Sequence, residues 1–138
     1  MAHVSRGTPQ QRHLLAYLVN ASLVLCHEID SAYWREWDLF HLPGGPPGFV
    51  ALHLIVIPLI LVGLVMVARD AERSPWWSIP IAVAGIAGST LHLTLLALGD
   101  SSFSTPFSLA LIVAFGLSSA TLLVTALRPR PPVMEDNG

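Results

Sequence analysis

The sequence contains no lysine and little charge of any kind. Only 12% of its 138 residues are Asp, Glu, Lys or Arg, whereas 53% are hydrophobic; an ordinary soluble domain has about 25% charged residues. A soluble helical domain needs a charged outer face on each helix, and the long uncharged runs of this chain leave none. Basic runs with interleaved aromatic residues are also missing, which argues against a nucleic-acid partner. We therefore expect an integral membrane protein whose first partner is the lipid bilayer.

Cysteine is scarce as well. Cys26 is alone, which excludes an intramolecular disulfide, a four-cysteine metal site and covalent haem attachment through a CxxCH motif. The residues before it, 23–25, approximate a lipoprotein cleavage box, but that box needs a small residue where Leu25 stands. We expect the first apolar run to remain in the protein as a helix. The motifs G-x-S-x-G, the P-loop and the dinucleotide-binding fingerprint are absent too.

What the sequence has instead is four long apolar runs. Each is close to the roughly 20 residues that a helix needs to cross a bilayer. They predict an all-α fold: one domain, 1–138, made of four antiparallel transmembrane helices in an up-down bundle. A short cytoplasmic lead, 1–12, precedes the bundle, a disordered tail, 129–138, follows it, and Pro43–Gly48 is predicted to turn rather than to form helix. The runs are His13–Ile29, Phe49–Ala68, Ile79–Leu98 and Pro106–Leu127.

The arginines predict the orientation of this bundle. All of them except Arg35 fall on one side of the predicted topology. By the positive-inside rule, both termini and the loop at 69–73 lie in the cytoplasm, and the protein is a multi-pass protein of the inner (plasma) membrane. The segment 26–48 then faces outward, with its aromatic residues at the depth of the lipid headgroups. Glu36 and Asp38 are expected to face water there.

Three histidines fall near the outward ends of three different predicted helices. His27 ends the first helix, His53 lies about one turn inside the second, and His92 lies about two turns below the outer end of the third. Asp30 is three residues from His27 and shares its helix face. Ionisable groups within apolar spans usually face the interior of a bundle. We predict a metal site formed by His27, Asp30, His53 and His92.

The ligand set indicates the chemistry of such a site. Histidine and carboxylate without thiolate suit zinc, iron or another divalent transition metal. Glu28 points about 100° away from His27 on the helix, a position better suited to a catalytic base than to a further ligand. A substrate reaching this end of the bundle would be lipid-like or a small periplasmic molecule. The sequence leaves open whether the protein is an enzyme.

Three alternatives remain open at this point. A haem b held by His53 and His92 would give an electron-transfer protein. The small residues of the third run could instead pack against other membrane-protein subunits, which would make the chain a non-catalytic subunit or an assembly factor. A stripe of His13, Asn20 and His27 along the first helix could form a pathway for protons or ions.

The stretch His27–Gly45 reads HEIDSAYWREWDLFHLPGG. It resembles the signature of a family of small bacterial four-helix integral membrane proteins of unknown function, and the His-Glu-Ile-Asp and Trp-x-Glu-Trp elements carry the resemblance. The hydropathy of the remaining chain is similar to that family as well. The resemblance implies the four-helix membrane fold and the importance of this stretch, and it implies no particular activity.

Overall fold

The computed structural model describes residues 8–69, 72 and 74–128, and these residues form helices and short connections without a strand. The all-α prediction is therefore confirmed for this part of the chain. The predicted tail, 129–138, and residues 1–7 of the predicted lead lie outside the described residues. Five helices follow one another: α1 (Pro9–Tyr33), α2 (Glu36–Leu39), α3 (Gly45–Arg69), α4 (Ser74–Ala97) and α5 (Pro106–Leu127).

Three of these helices, α3, α4 and α5, are long and apolar enough to cross a membrane. The run predicted as the first span lies inside α1, which has sufficient length but carries more polar residues. Helix α2 is only one turn long and connects α1 to α3. The described residues therefore form four long helices, three of which have the composition of membrane spans.

Capping residues explain where two of the helices begin. Helix α5 has the predicted bounds, with the Thr105 side chain accepting a hydrogen bond from the Ser108 backbone and Pro106 at the first helical position. Helix α1 starts four residues before the predicted run. There Thr8 and Gln11 form a reciprocal capping box, which satisfies two backbone N–H groups at the helix start.

The prediction that Pro43–Gly48 turns without forming helix is wrong in its second half. Helix α3 already begins at Gly45, so both prolines of the Gly-Pro-Pro-Gly sequence lie in its first turn. Proline is tolerated there because the first N–H groups of a helix have no partner within the helix. The chain reverses direction just before α3, where His41 has a φ of 52° and Gly44 a φ of 88°.

Polar side chains of α1 hold the long helices together at one end of the molecule. His13 contacts Ser78 Oγ near the start of α4 at 3.0 Å and Thr125 Oγ1 near the end of α5 at 3.1 Å. Gln10 donates a hydrogen bond to the Val67 carbonyl near the end of α3 at 2.6 Å. The start of α1 thus lies beside the end of α3, the start of α4 and the end of α5.

Helix α1 buries polar residues among apolar ones and exposes large hydrophobic residues, unlike a helix of a water-soluble protein. Its buried face carries four polar residues beside Tyr17, Ala21 and Val24, and Asn20 on that face donates to Ser118 Oγ and Ser119 Oγ at 3.0 and 2.7 Å. Beyond the first turn its exposed face is largely apolar, as is the exposed surface of α3. Exposed apolar helix faces are compatible with contact to lipid. The buried polar residues of α1 are His13, Asn20, His27 and Ser31, and its exposed large hydrophobic residues are Leu15, Leu18, Val19, Ile29 and Tyr33.

Candidate functional site

The predicted site residues lie at the end of the molecule where α1 ends and α3 begins. The short helix α2 lies there too and adds a carboxylate that the sequence analysis had placed in water. We call this group the histidine–carboxylate cluster. Its members are His27, Glu28, Asp30, Glu36, His53 and His92.

His53 and Glu28 form the closest pair of the cluster. Their Nε2 and Oε2 atoms are 2.7 Å apart, and the side chains are only 13% and 26% exposed. The other ring nitrogen of His53, Nδ1, lies 2.7 Å from the Phe49 carbonyl oxygen. A carbonyl can only accept, so Nδ1 carries a proton, and a second proton lies between Nε2 and the carboxyl group. The pair is thus built to share one proton, while both nitrogens of His53 are already engaged.

Glu36 is brought to the cluster by α2. Its Oε1 lies 3.6 Å from His92 Nε2, and its side chain is only 16% exposed. The expectation that Glu36 faces water is therefore wrong, whereas Asp38 is 56% exposed and forms an ion pair with Arg35 at 2.8 Å. The local reason is the backbone of Arg35, whose φ of 56° turns the chain between α1 and α2.

The surroundings of Glu36 set its ionisation. Burial raises the pKa of its carboxyl group, but the contacts with His92 and Ser31 and the nearby His27 more than offset burial. The net pKa lies below the ordinary value of 4.5. Glu36 is consequently a carboxylate at neutral pH, although it is largely shielded from water.

His27 occupies the centre of the cluster and is 4% exposed. Its ring contacts His92 edge-on, with 4.9 Å between the ring centroids, and it stacks on Phe115 at 5.3 Å. Its Nδ1 atom is buried and has no hydrogen-bond partner in the part of the chain that the structure describes. Phe103 and Phe40, which the sequence analysis did not single out, contact His92 from other sides at 4.5 and 5.8 Å.

Asp30 is hydrogen-bonded to α5 and not to either of the two central histidines. Its Oδ1 accepts a hydrogen bond from Ser108 Oγ on α5 at 3.1 Å, and Trp34 Nε1 donates to the same hydroxyl at 3.1 Å. The other carboxylate oxygen of Asp30 is buried without a partner among the described residues. Asp30 therefore fastens the end of α1 to the start of α5.

The structure brings the four predicted metal ligands to one end of the molecule without forming a ready metal site. Across residues 8–69, 72 and 74–128, no group of three or more His, Cys, Asp or Glu residues is arranged to hold a metal ion. His27 and His92 are side by side, whereas His53 is paired with Glu28 and Asp30 with Ser108. The metal site stays a prediction.

A cavity of about 480 Å³ leads away from the cluster between α1, α3 and α4. Such a volume is typical of pockets for small organic molecules. Four members of the cluster form its polar end, and the remaining walls are almost entirely apolar. The polar end consists of His27, Glu28, Glu36 and His92.

The far end of the cavity lies at Tyr17, Trp76 and Trp77. The separation of Trp77 and His92 along α4 corresponds to about 22 Å at ~1.5 Å per residue. Leu59 and Ala84 line the cavity and are exposed on the surface, so the cavity reaches the outside of the molecule along its apolar side. Its shape is a long groove with one polar end, which no sequence pattern predicts beyond the small residues of α4.

Comparison with known proteins places the chain in a family but not in a functional class. No curated protein and no solved structure matches the chain. A family model does match residues 13–129, a range that includes the whole cluster and nearly all of the four long helices. This agrees with the resemblance of the His27–Gly45 stretch to a family without an assigned activity. The chain belongs to the family described as a family of unknown function, DUF6713.

Proposed function

We propose that the chain is a multi-pass protein of the inner membrane, with α1, α3, α4 and α5 as four antiparallel spans and both termini in the cytoplasm. Helix α1 is less apolar than the others, but four of its polar residues are buried and its exposed surface beyond the first turn is largely apolar. His13 and Asn20 are both buried and hydrogen-bonded to α4 or α5. The mean hydropathy of α1 averages its buried and exposed residues together, whereas only the exposed residues contact the bilayer.

We propose further that the protein binds an amphipathic, lipid-like molecule in the groove. The cavity of about 480 Å³ with apolar walls and a single polar end is the observation that carries this proposal. A lipid chain would lie along the apolar walls, and its polar group would reach the cluster. The exposed position of Leu59 and Ala84 along the groove gives such a molecule a route from the bilayer.

The cluster supplies acid–base chemistry to the bound polar group. Glu28 and His53 share a proton at 2.7 Å, and Glu28 also lines the cavity. Glu28 can therefore pass a proton to or from the ligand while His53 restores it, which is the usual role of a positioned carboxylate beside an imidazole. This retains Glu28 as the proposed catalytic base.

Retention of lipid by matched variants of α4 tests the groove. Ala84 lines the cavity, whereas Ala87, one turn further along the same helix, is exposed and does not line it. We expect mass spectrometry of lipid extracts to find an amphipathic molecule with the wild-type protein and with Ala87→Trp. The same molecule should be lost from Ala84→Trp. Equal lipid content in all three proteins would overturn the proposal.

A metal centre is the second candidate. The observation in its favour is the contact of His27 with His92 beside Glu36, together with the unpartnered Nδ1 of His27. The predicted ligand His53 could join only if its contact with Glu28 opened. Metal analysis and a visible absorption spectrum of the purified protein test for zinc or iron and for haem b. Metal that is lost in His92→Ala and kept in a variant of the exposed His41 would support this candidate.

A further inference from the structure

The polar end of the groove has no fixed positive charge. Of the arginines that the structure describes, only Arg35 lies at this end, and it is exposed and paired with Asp38. Arg12, Arg69 and Arg128 lie at the opposite end, near the start of α1 and the ends of α3 and α5. An anionic phosphate or carboxylate headgroup would therefore find no guanidinium partner in the cluster.

The titratable groups of the cluster also disfavour an anionic headgroup. It contains three carboxylates, Glu28, Asp30 and Glu36, and three histidines. If every histidine were protonated and every carboxylate ionised, the charges would balance. With any fewer protons the cluster is net negative. A net-negative pocket in a low-dielectric environment attracts a cation and repels an anion.

The polar end of the groove also has hydrogen-bond acceptors where a headgroup would lie. His27 is 4% exposed, lines the cavity, and has a buried Nδ1 without a partner among the described residues. In its neutral form, an imidazole protonated at Nε2 presents Nδ1 as an acceptor. Glu36 and Glu28 line the cavity as well and contribute carboxylate oxygens. A primary ammonium group has three N–H donors, which match these three acceptors.

Resting on the lipid-binding function proposed above, we infer that the ligand is an amphiphile with a primary amine headgroup. Its ammonium group is held by the Glu36 and Glu28 carboxylates and by His27 Nδ1, and its apolar chain extends along α4 toward Trp77. Two other headgroups each lack one of these features and can therefore serve as competitors. A quaternary ammonium headgroup has the positive charge but no N–H donor, and a long-chain alcohol has a hydrogen-bond donor but no charge.

A competition among four headgroups on the same chain tests this inference. Wild-type protein in an uncharged detergent is mixed with equal concentrations of hexadecylamine, hexadecyltrimethylammonium, hexadecanol and hexadecyl phosphate, and native mass spectrometry identifies what is bound. We expect the amine to be bound in preference to each competitor. Loss of a charged hydrogen-bond partner in Glu36→Gln should weaken amine binding about tenfold or more. Asp38→Asn is the matched control on the same short helix, because Asp38 is exposed and outside the cavity, and it should bind as the wild type does.

Each other outcome has a distinct meaning. Preference for the phosphate or the alcohol would overturn the inference but leave a lipid-binding groove in place. If the quaternary ammonium binds as well as the amine, the proposed hydrogen bonds from the N–H groups, including the one to His27 Nδ1, are wrong. If none of the four molecules binds, both this inference and the proposed groove fail, and the Ala84→Trp comparison identifies the groove as the point of failure.

Discussion

At the scale of single residues, Glu36 shows what local sequence cannot reveal. The segment 33–38 contains three aromatic and three charged residues, and its two carboxylates are predicted to face water. Asp38 does so, whereas Glu36 turns inward to His92. The difference depends on the left-handed conformation of Arg35, which is not a glycine and gave no signal of a tight turn. Pairing across the fold then decides which carboxylate is buried.

The lowered pKa of Glu36 leads to a prediction about pH. A carboxyl group with a depressed pKa in the folded state stabilises the fold above its unfolded pKa, and this stabilisation is lost as the pH falls through the lower folded pKa. Wild-type protein should thus have a higher Tm than Glu36→Gln at neutral pH. The difference should shrink progressively below pH 4.5, the ordinary value. Thermal unfolding in a mild detergent over an acid pH series measures this.

The exposed neighbour provides the control for that series. Asp38→Asn disrupts an ion pair with Arg35 that is open to water, and such pairs contribute about 0–1 kcal/mol. Its Tm should stay close to that of the wild type across the series. A Tm difference for Glu36→Gln that is unchanged in acid would show that the ionised Glu36–His92 contact is not its source.

At the scale of helices, apolar runs located each long helix but not always its first residue. Helix α5 has the predicted bounds because Thr105 and Pro106 form a conventional start. Helices α3 and α4 both begin earlier than their apolar runs, with prolines in the first turn. Proline was counted as a helix breaker although it is favoured at the first helical positions. The predicted first residues were therefore wrong, but the helices themselves were predicted correctly.

Two glycines of α4 give a matched test of helix packing. A Cβ atom at Gly85 would collide with Ser119 Oγ and lie 2.7 Å from the Phe115 ring, whereas one at Gly88 would meet Phe115 at an ordinary 3.8 Å. Both substitutions to alanine favour the helix by up to about 1 kcal/mol. Gly85→Ala should nevertheless destabilise the protein by about 1–3 kcal/mol through overpacking against α5. Gly88→Ala should be neutral or stabilising.

Unfolding of the two variants in detergent distinguishes steric packing from helix propensity. Ser119→Ala in the Gly85→Ala background removes one colliding atom and should restore part of the lost stability. If Gly85→Ala and Gly88→Ala are equally stable, α4 and α5 are not packed as closely as the structure shows.

At the scale of the whole molecule, the sequence predicted which residues would gather but not how they would pair. His27, His53, His92 and Glu28 were placed at one end from span positions alone, and they lie there. The pairing of His53 with Glu28 and of His92 with Glu36 depends on helix rotation and on the path of α2, which periodicity does not fix. The groove depends on the spacing of α1, α3 and α4, so it too is a property of the assembled fold.

The number of spans determines on which sides of the membrane the two termini lie. If α1 crosses the membrane with α3, α4 and α5, both termini lie on the same side; if only three helices cross, they lie on opposite sides. Because the polar face of α1 is buried against α4 and α5 through His13 and Asn20, we expect four spans. From the positive-inside rule we predict that both termini lie in the cytoplasm.

Reporter fusions at each terminus test this topology in intact cells. Green fluorescent protein should be fluorescent, and alkaline phosphatase inactive, at both ends of the chain. Ser101 lies in the exposed connection between α4 and α5, and Ser101→Cys in a Cys26→Ser background should react with a membrane-impermeant maleimide from outside. Active phosphatase at the N-terminus with a cytoplasmic C-terminus would show that α1 does not cross. In that case α1 would not lie along α4 and α5 as the hydrogen bonds of His13 and Asn20 require, and the groove between α1, α3 and α4 would not form. The topology experiment therefore also tests whether the groove exists in the membrane.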